Sequence, residues 1–213
     1  MIPSIVLIIV VTIIAYLLGS INSAIIVGKL HKIDIREHGS GNAGLTNTLR
    51  VLGKASAVCV LLGDILKAVI AIGIAIIFAP DDITYGNEII TQLAGLGVVL
   101  GHIFPIYYNF KGGKGVLTSI TVMFMINWQI SLICLLIFII VVAITKFVSL
   151  GSILAAFAFP CLVALSVKIP FLTDCMYMLV FSIILATIVI VKHKGNIKRL
   201  IKGEENKLSF KKK

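Results

Sequence analysis

Charge is scarce in this chain, and acidic charge most of all: of 213 residues, 13% are charged and only nine are Asp or Glu. With 59% hydrophobic residues, no soluble domain of this length could hide its apolar side chains. The class is therefore an all-α, polytopic integral membrane protein. Cysteine pairing is missing too. Cys59, Cys134, Cys161 and Cys175 lie in or beside apolar stretches, and none has a C-x-x-C partner, so neither zinc nor a disulfide framework is expected. The net charge of +10 sits in short loops and at the carboxy-terminal end. That argues against nucleic acid and for a lipid bilayer with phosphate-bearing partners. The first apolar stretch lacks a basic leader and is long enough to cross, so it is read as retained.

Familiar catalytic apparatus is absent as well. Five residues after His31, His38, His102 and His193 come Arg36, Ala43, Tyr107 and Lys198, so no H-x-x-x-x-D pair exists. There is no G-x-S-x-G elbow and no Asp-rich motif for a pair of metals. No metal site or cofactor is expected. Chemistry built from what remains would grip anions and position reactants rather than form a covalent intermediate.

Apolar runs of about 20 residues, the length that crosses roughly 30 Å of hydrocarbon, mark the spans. About seven transmembrane helices are expected, near 3–28, 55–79, 89–108, 116–127, 130–146, 150–167 and 172–191. The fourth is short, so either its helix starts within the glycine loop, the bilayer thins there or the segment is re-entrant. A five-span arrangement with one long helix over 116–146 is the alternative. Seventeen of the nineteen Lys and Arg residues fall on one side of this topology, Lys67 and Lys168 being the exceptions. The positive-inside rule then puts the N-terminus outside and the C-terminus in the cytoplasm.

Three polar clusters reach that cytoplasmic face. Between the first two spans runs Gly39-Ser40-Gly41-Asn42-Ala43-Gly44-Leu45-Thr46-Asn47-Thr48-Leu49-Arg50. Its glycines let the backbone curl, Ser40, Asn42, Thr46 and Asn47 offer neutral hydrogen-bonding groups, and Arg50 adds charge: a segment suited to holding phosphate. Next is Lys111-Gly112-Gly113-Lys114-Gly115, directly before a helix, where backbone amides, the helix dipole and Lys114 favour an anion. It is not a Walker A loop, because the spacing fails. A flexible basic loop serving topology alone is the plainer alternative. Third is His193-Lys194-Gly195-Asn196, with Arg199 one turn on. Lys192, Lys194 and Lys198 there are expected to anchor the span by snorkelling. Ser149 and Ser152 open the sixth span; an N-cap is the ordinary role for Ser149, and a phosphate contact the other. Asp64 and Lys67, three apart inside the second span, should pair, whether for helix packing or for chemistry. His102 is expected only to hydrogen-bond between helices.

Taken in order, Gly39-Ser40-Gly41-Asn42 through Arg50, Gly101-His102-x-Phe104-Pro105 with Phe110 through Val116, and His193-x-x-Asn196-Ile197-x-Arg199-Leu200 with Gly203-Glu204 resemble the PlsY family. These are bacterial membrane acyltransferases that use acyl phosphate and glycerol 3-phosphate. The resemblance covers essentially the whole chain. It departs at Ala43 and Leu45, where the family more often has proline and alanine. It implies transfer of a fatty acyl group from acyl phosphate to the 1-hydroxyl of glycerol 3-phosphate, giving lysophosphatidic acid and phosphate in the first acylation of phospholipid synthesis. It implies a multi-pass protein of the bacterial inner (plasma) membrane with cytoplasmic site loops, and a functional link to an enzyme that makes acyl phosphate. On this reading Ser40, Arg50, Lys114, His193 and Asn196 bind substrate. Gly39, Gly41, Asn42, Gly44, Thr46, Asn47, Gly112, Gly113 and Gly115 form phosphate-binding loops, with Ser149, Ser152, Lys111 and Arg199 as further candidates. Residues 1–203 are expected to form one transmembrane acyltransferase domain and 204–213 a basic cytoplasmic tail.

The rival from another class is a small transporter of phosphate esters. Polar lining at mid-span is sparse beyond Asp64 and Lys67, and no inverted repeat is visible.

Overall fold

The computed structural model describes residues 4–79, 86–166 and 176–208, all helix, turn or loop with no strand among them. The turn-rich breaks expected at Pro80-Asp81-Asp82 and Lys168-Ile169-Pro170, together with Cys175 and the last five residues, lie outside them. The chain divides into two compact units, Met1–Ile126 and Asn127–Lys213.

In the first unit, α1 (Ser4–Ser20) and α2 (Ser23–Leu30) together make one membrane-length segment, interrupted at Ile21 and Asn22. The apolar run over 3–28 predicts an unbroken span. Asn22 breaks it by leaving helical geometry and accepting the Ile25 N–H on its side chain at 3.0 Å, which caps α2. Non-helical backbone at such depth needs protein around it, and Asn22 is fully buried. Then come α3 (Leu45–Leu52), α4 (Lys54–Ile77), α5 (Gly86–Ile103) and α6 (Val116–Ile126). Glycine brings α1 and α5 together almost backbone to backbone: a carbon added to Gly97 would lie 2.7 Å from the Thr12 carbonyl oxygen. Tyr16 Oη donates to the Phe104 carbonyl at 2.8 Å and ties the end of α5 to α1.

The second unit contains α7 (Trp128–Thr145), α8 (Val148–Ser166), α9 (Met176–Lys192) and α10 (Lys194–Ile201). The long helix considered over 116–146 does not form. Asn127 turns the backbone out of helical geometry and caps α7 by accepting the Ile130 N–H at 3.0 Å. Phe159 of α8 meets Phe181 of α9 edge to face at 6.4 Å.

Among the described residues, five segments are long and apolar enough to cross a bilayer: Ser4–Leu30, Lys54–Ile77, Gly86–Tyr108, Trp128–Thr145 and Val148–Ser166. A sixth arises if α9 and α10, bent by 58°, count as one. The remaining expected span is α6, whose 11 residues rise only about 16 Å.

Candidate functional site

The loop between α2 and α3 rests on its own apolar base. Ile35 and Ala43 are fully buried with Ala24, Ile25 and Val60, and Leu45, Val51 and Tyr108 pack around them. Asn47, only 1% exposed, organises the loop above. Its side-chain oxygen accepts the Ser40 N–H at 2.8 Å, and its amide donates to the carbonyls of Ile35 (3.0 Å) and His38 (2.9 Å). Asn47 is therefore a clamp rather than an exposed ligand. Gly39 sits at φ +63°, and a side chain there would strike the Asn47 amide, so both the turn and the clamp need glycine. Ser40 and Gly41 stand at the exposed crest. Asn42 and Thr46 are half-buried, and the N–H of Gly44 returns to the Asn42 carbonyl at 3.0 Å. Arg50 projects from α3 one turn after Asn47, exposed.

A guanidinium joins this loop to the next motif. Arg36 grips Asp34 through Nη2–Oδ2 at 2.6 Å and reaches the carbonyls of Tyr108 (3.3 Å) and Lys111 (3.4 Å). Hydrogen bonding to Arg36 holds the Asp34 carboxyl down at about 2. Lys111 thus contributes its carbonyl here, and its residue is exposed.

The glycines before α6 serve close approach more than amide display. Gly112 N–H donates to the Ile103 carbonyl (3.2 Å) and Gly113 N–H to that of His102 (3.1 Å), so these two amides are committed internally. A carbon on Gly113 would run into His102 Nε2 and lie 2.6 Å from the Ala43 carbonyl oxygen. The first two motifs therefore meet at Gly113. Lys114 is half-buried beside the amino end of α6, and Gly115, at φ +80°, feeds the chain into it. The first-turn amides of that helix have no intrahelical acceptors by geometry, the feature by which a helix start can attract an anion.

In the second unit the polar groups collect around one carboxylate, Glu205. Asn196 Nδ2 donates to Glu205 Oε1 at 2.8 Å, Ser149 Oγ to the same oxygen at 3.1 Å, and Arg199 Nε to Oε2 at 2.8 Å. The Leu208 N–H donates to the Lys146 carbonyl at 2.7 Å, closing residues 205–208 over the start of α8. Ser149 thus serves Glu205 rather than capping α8. Ser152 Oγ turns back to the Val148 carbonyl at 2.9 Å. His193 is buried at the bend between α9 and α10. Its Nδ1 lies 2.7 Å from the Val189 carbonyl, an acceptor, which places a proton on Nδ1. The chain bends by 58° between α9 and α10, at His193.

Asp64 and Lys67 do pair, at 2.9 Å, and His102 joins them. Among the described residues no three His, Cys, Asp or Glu side chains cluster as a metal site. Two organising residues escaped the sequence reading. Asn22 had a visible signal, an amide inside an apolar run; Glu205 had one too, an acid within a basic carboxy-terminal segment.

A family profile described as glycerol-3-phosphate acyltransferase matches residues 9–203. The chain is 44% identical over 202 residues to a glycerol-3-phosphate acyltransferase of Francisella tularensis subsp. novicida, covering 94% of this chain and 93% of that one. It is 44% identical over 197 residues to one of Shouchella clausii, covering 92% and 93%. Among solved structures it resembles PlsY (YgiH), an integral membrane glycerol 3-phosphate acyltransferase, in its glycerol 3-phosphate form. There the TM-score is 0.84 and the identity 34%, over 95% of this chain and 96% of that one. The lysophosphatidic acid form of that protein matches with a TM-score of 0.81 at 33% identity, over the same shares.

Proposed function

The chain belongs to the glycerol-3-phosphate acyltransferase family, and from that premise we propose that it moves a fatty acyl group from acyl phosphate to the 1-hydroxyl of glycerol 3-phosphate. The products are lysophosphatidic acid and inorganic phosphate. An acyl phosphate is a mixed anhydride and already activated, so no protein nucleophile is needed. The hydroxyl oxygen attacks the acyl carbon, and the bond from that carbon to the phosphate oxygen breaks. The phosphate leaves with the bonding electrons, and one of its oxygens takes the hydroxyl proton. The protein supplies proximity and charge: it must hold two phosphates near each other while the acyl chain stays in lipid.

Ser40, Arg50 and Lys114 are assigned to glycerol phosphate, and His193 and Asn196 are likewise assigned as substrate-binding residues. The crest of the Gly39–Asn47 loop and the amino end of α6 hold the acyl phosphate, with Ser149 and Ser152 as further contacts. Lys111 and Arg199 act through the contacts they make with Arg36 and Glu205. Residues 1–203 make up the proposed transmembrane acyltransferase domain, with 204–213 as its basic tail. The bias of Lys and Arg supports a plasma-membrane protein with its N-terminus outside and these loops in the cytoplasm. An enzyme that makes acyl phosphate must act before it.

The observation that carries the reading is the meeting of the Ser40 loop with the Gly-Gly-Lys segment at Gly113, beside the start of α6. Purified protein given palmitoyl phosphate and glycerol 3-phosphate should form lysophosphatidic acid, and palmitoyl-CoA should not replace the donor. Product from palmitoyl-CoA alone would refute the donor assignment.

A further inference from the structure

Charge inside a membrane-spanning helix is costly unless paired, so a pair there marks something the fold must hold. Asp64 and Lys67, nearly one turn apart on α4, are 1% and 5% exposed and meet at 2.9 Å. Ser23 Oγ, from α2, donates to Asp64 Oδ1 at 2.9 Å. Lys67 Nζ donates to the Ile21 carbonyl at 3.0 Å, within the interruption between α1 and α2. The same Nζ lies 2.9 Å from Nδ1 of His102, which is 4% exposed near the end of α5. His102 Nδ1 is 3.6 Å from Asp64 Oδ1, too far for a direct hydrogen bond, so the lysine mediates between them.

Counting protons settles which way the ring is used. An ammonium has three hydrogens and no lone pair. Asp64 Oδ1, the Ile21 carbonyl and His102 Nδ1 accept all three, so Nδ1 is an acceptor and the imidazole hydrogen is on Nε2. Passing a proton from Lys67 to the ring gives imidazolium, and Nε2 still keeps its hydrogen. The one arrangement that bares Nε2 sets Nδ1–H against a neutral amine and leaves Asp64 buried without its cation. The Nε2 atom abuts Gly113, where a carbon added to the glycine would also lie 2.6 Å from the Ala43 carbonyl oxygen.

We propose that Asp64, Lys67 and His102 form a positioning relay behind the anion loops. Lys67 keeps a hydrogen on His102 Nε2, and that N–H sets the spacing between the loop carrying Ala43 and the Gly-Gly-Lys segment. None of the three touches substrate; they act through the loops. Only the kinetic readout of this inference rests on the acyltransferase reading, because the position of the ring proton can be seen without any substrate.

The test begins with protein labelled with nitrogen-15 at its four histidines, held in nanodiscs, with the His102 signals identified by their loss in His102→Gln. Long-range proton–nitrogen correlation should show a protonated Nε2 on His102, and Lys67→Met should shift the ring toward the other tautomer. A bare Nε2 in the wild type, or an unchanged ring in Lys67→Met, overturns the relay. Because Lys67→Met leaves a buried carboxylate unpaired, the kinetic arm uses the charge-free pair Asp64→Asn/Lys67→Met. Its KM for glycerol 3-phosphate should rise about tenfold with kcat within about threefold. Simple loss of folded enzyme lowers kcat and leaves KM alone, and that result overturns the proposal. His102→Gln, whose amide reaches the place of Nε2, should keep KM within about threefold of wild type, whereas His102→Asn should raise it about tenfold. Equal effects of the two contradict the role given to Nε2–H. Should glycerol 3-phosphate prove not to be a substrate, the proton position still decides the relay by itself.

Discussion

The polar groups of the two units are held in opposite ways. In the Gly39–Asn47 loop and the glycine segment before α6, a neutral amide and the backbone make the closest fastenings: Asn47 holds three main-chain groups, and Gly112 and Gly113 lie against the backbone of α5. In the second unit, one carboxylate gathers Asn196, Ser149 and Arg199. A neutral clamp adds no carboxylate beside the exposed Arg50 that follows it on α3, which suits an anion. A carboxylate hub instead spends protein charge on order, and fixes Asn196 through a segment near the chain's end.

Substitutions at the cationic and histidine positions should produce the largest effects. Lys114→Ala, Arg50→Ala and His193→Ala should each lower the rate of lysophosphatidic acid formation by one to two orders of magnitude, about 1.4–2.8 kcal/mol in the barrier. Near-normal turnover in all three would remove the proposed site. The two modes of support separate next. Glu205→Gln keeps the shape of the hub but removes its charge, and should cut activity about tenfold by loosening Asn196 and Arg199. Wild-type rates would show that the hub orders nothing that matters. Asn47→Ala strands buried groups of a loop without touching any charge, and should destabilise the protein by about 1–3 kcal/mol in a detergent unfolding assay. An unchanged melting profile would mean that the clamp is redundant.

The smallest effect belongs to Asp34. Its folded-state pKa lies below the ordinary 3.8, at about 2, so its contribution is complete above 3.8 and is lost as the pH falls toward 2. The Asp34 and Arg36 side chains are 33% and 27% exposed, so solvent screens much of that contribution. Asp34→Asn should therefore lower stability slightly at pH 7, with the difference from wild type unchanged at pH 5. A difference that vanishes by pH 5 would show that the carboxylate is not held down by Arg36.

Much of this was legible in the sequence, because membrane length and glycine placement are local properties. The apolar runs located the membrane-length helices, and the glycines marked where both loops turn. What the sequence concealed depends on contacts between distant residues. The interruption at Asn22 is stabilised by Lys67, 45 positions later. The amides of Gly112 and Gly113 look available until the carbonyls of His102 and Ile103 are seen to accept them. Glu205 is separated from Ser149 by 56 residues and lies in a stretch expected to be a basic cytoplasmic tail. The sum of Lys and Arg could point to a membrane side but not to which cations were already engaged: Arg36 is tied to Asp34, and Arg199 to Glu205.

Direct transfer between two gripped phosphates is the claim on which the rest depends, and a quenched single-turnover experiment reaches it most directly. Purified protein mixed with radiolabelled palmitoyl phosphate, without acceptor, should show neither protein-bound acyl label nor a burst of phosphate. Adding glycerol 3-phosphate should then release phosphate and form lysophosphatidic acid one for one. A stoichiometric burst of phosphate before the acceptor arrives, with label fixed to the protein, would contradict the account.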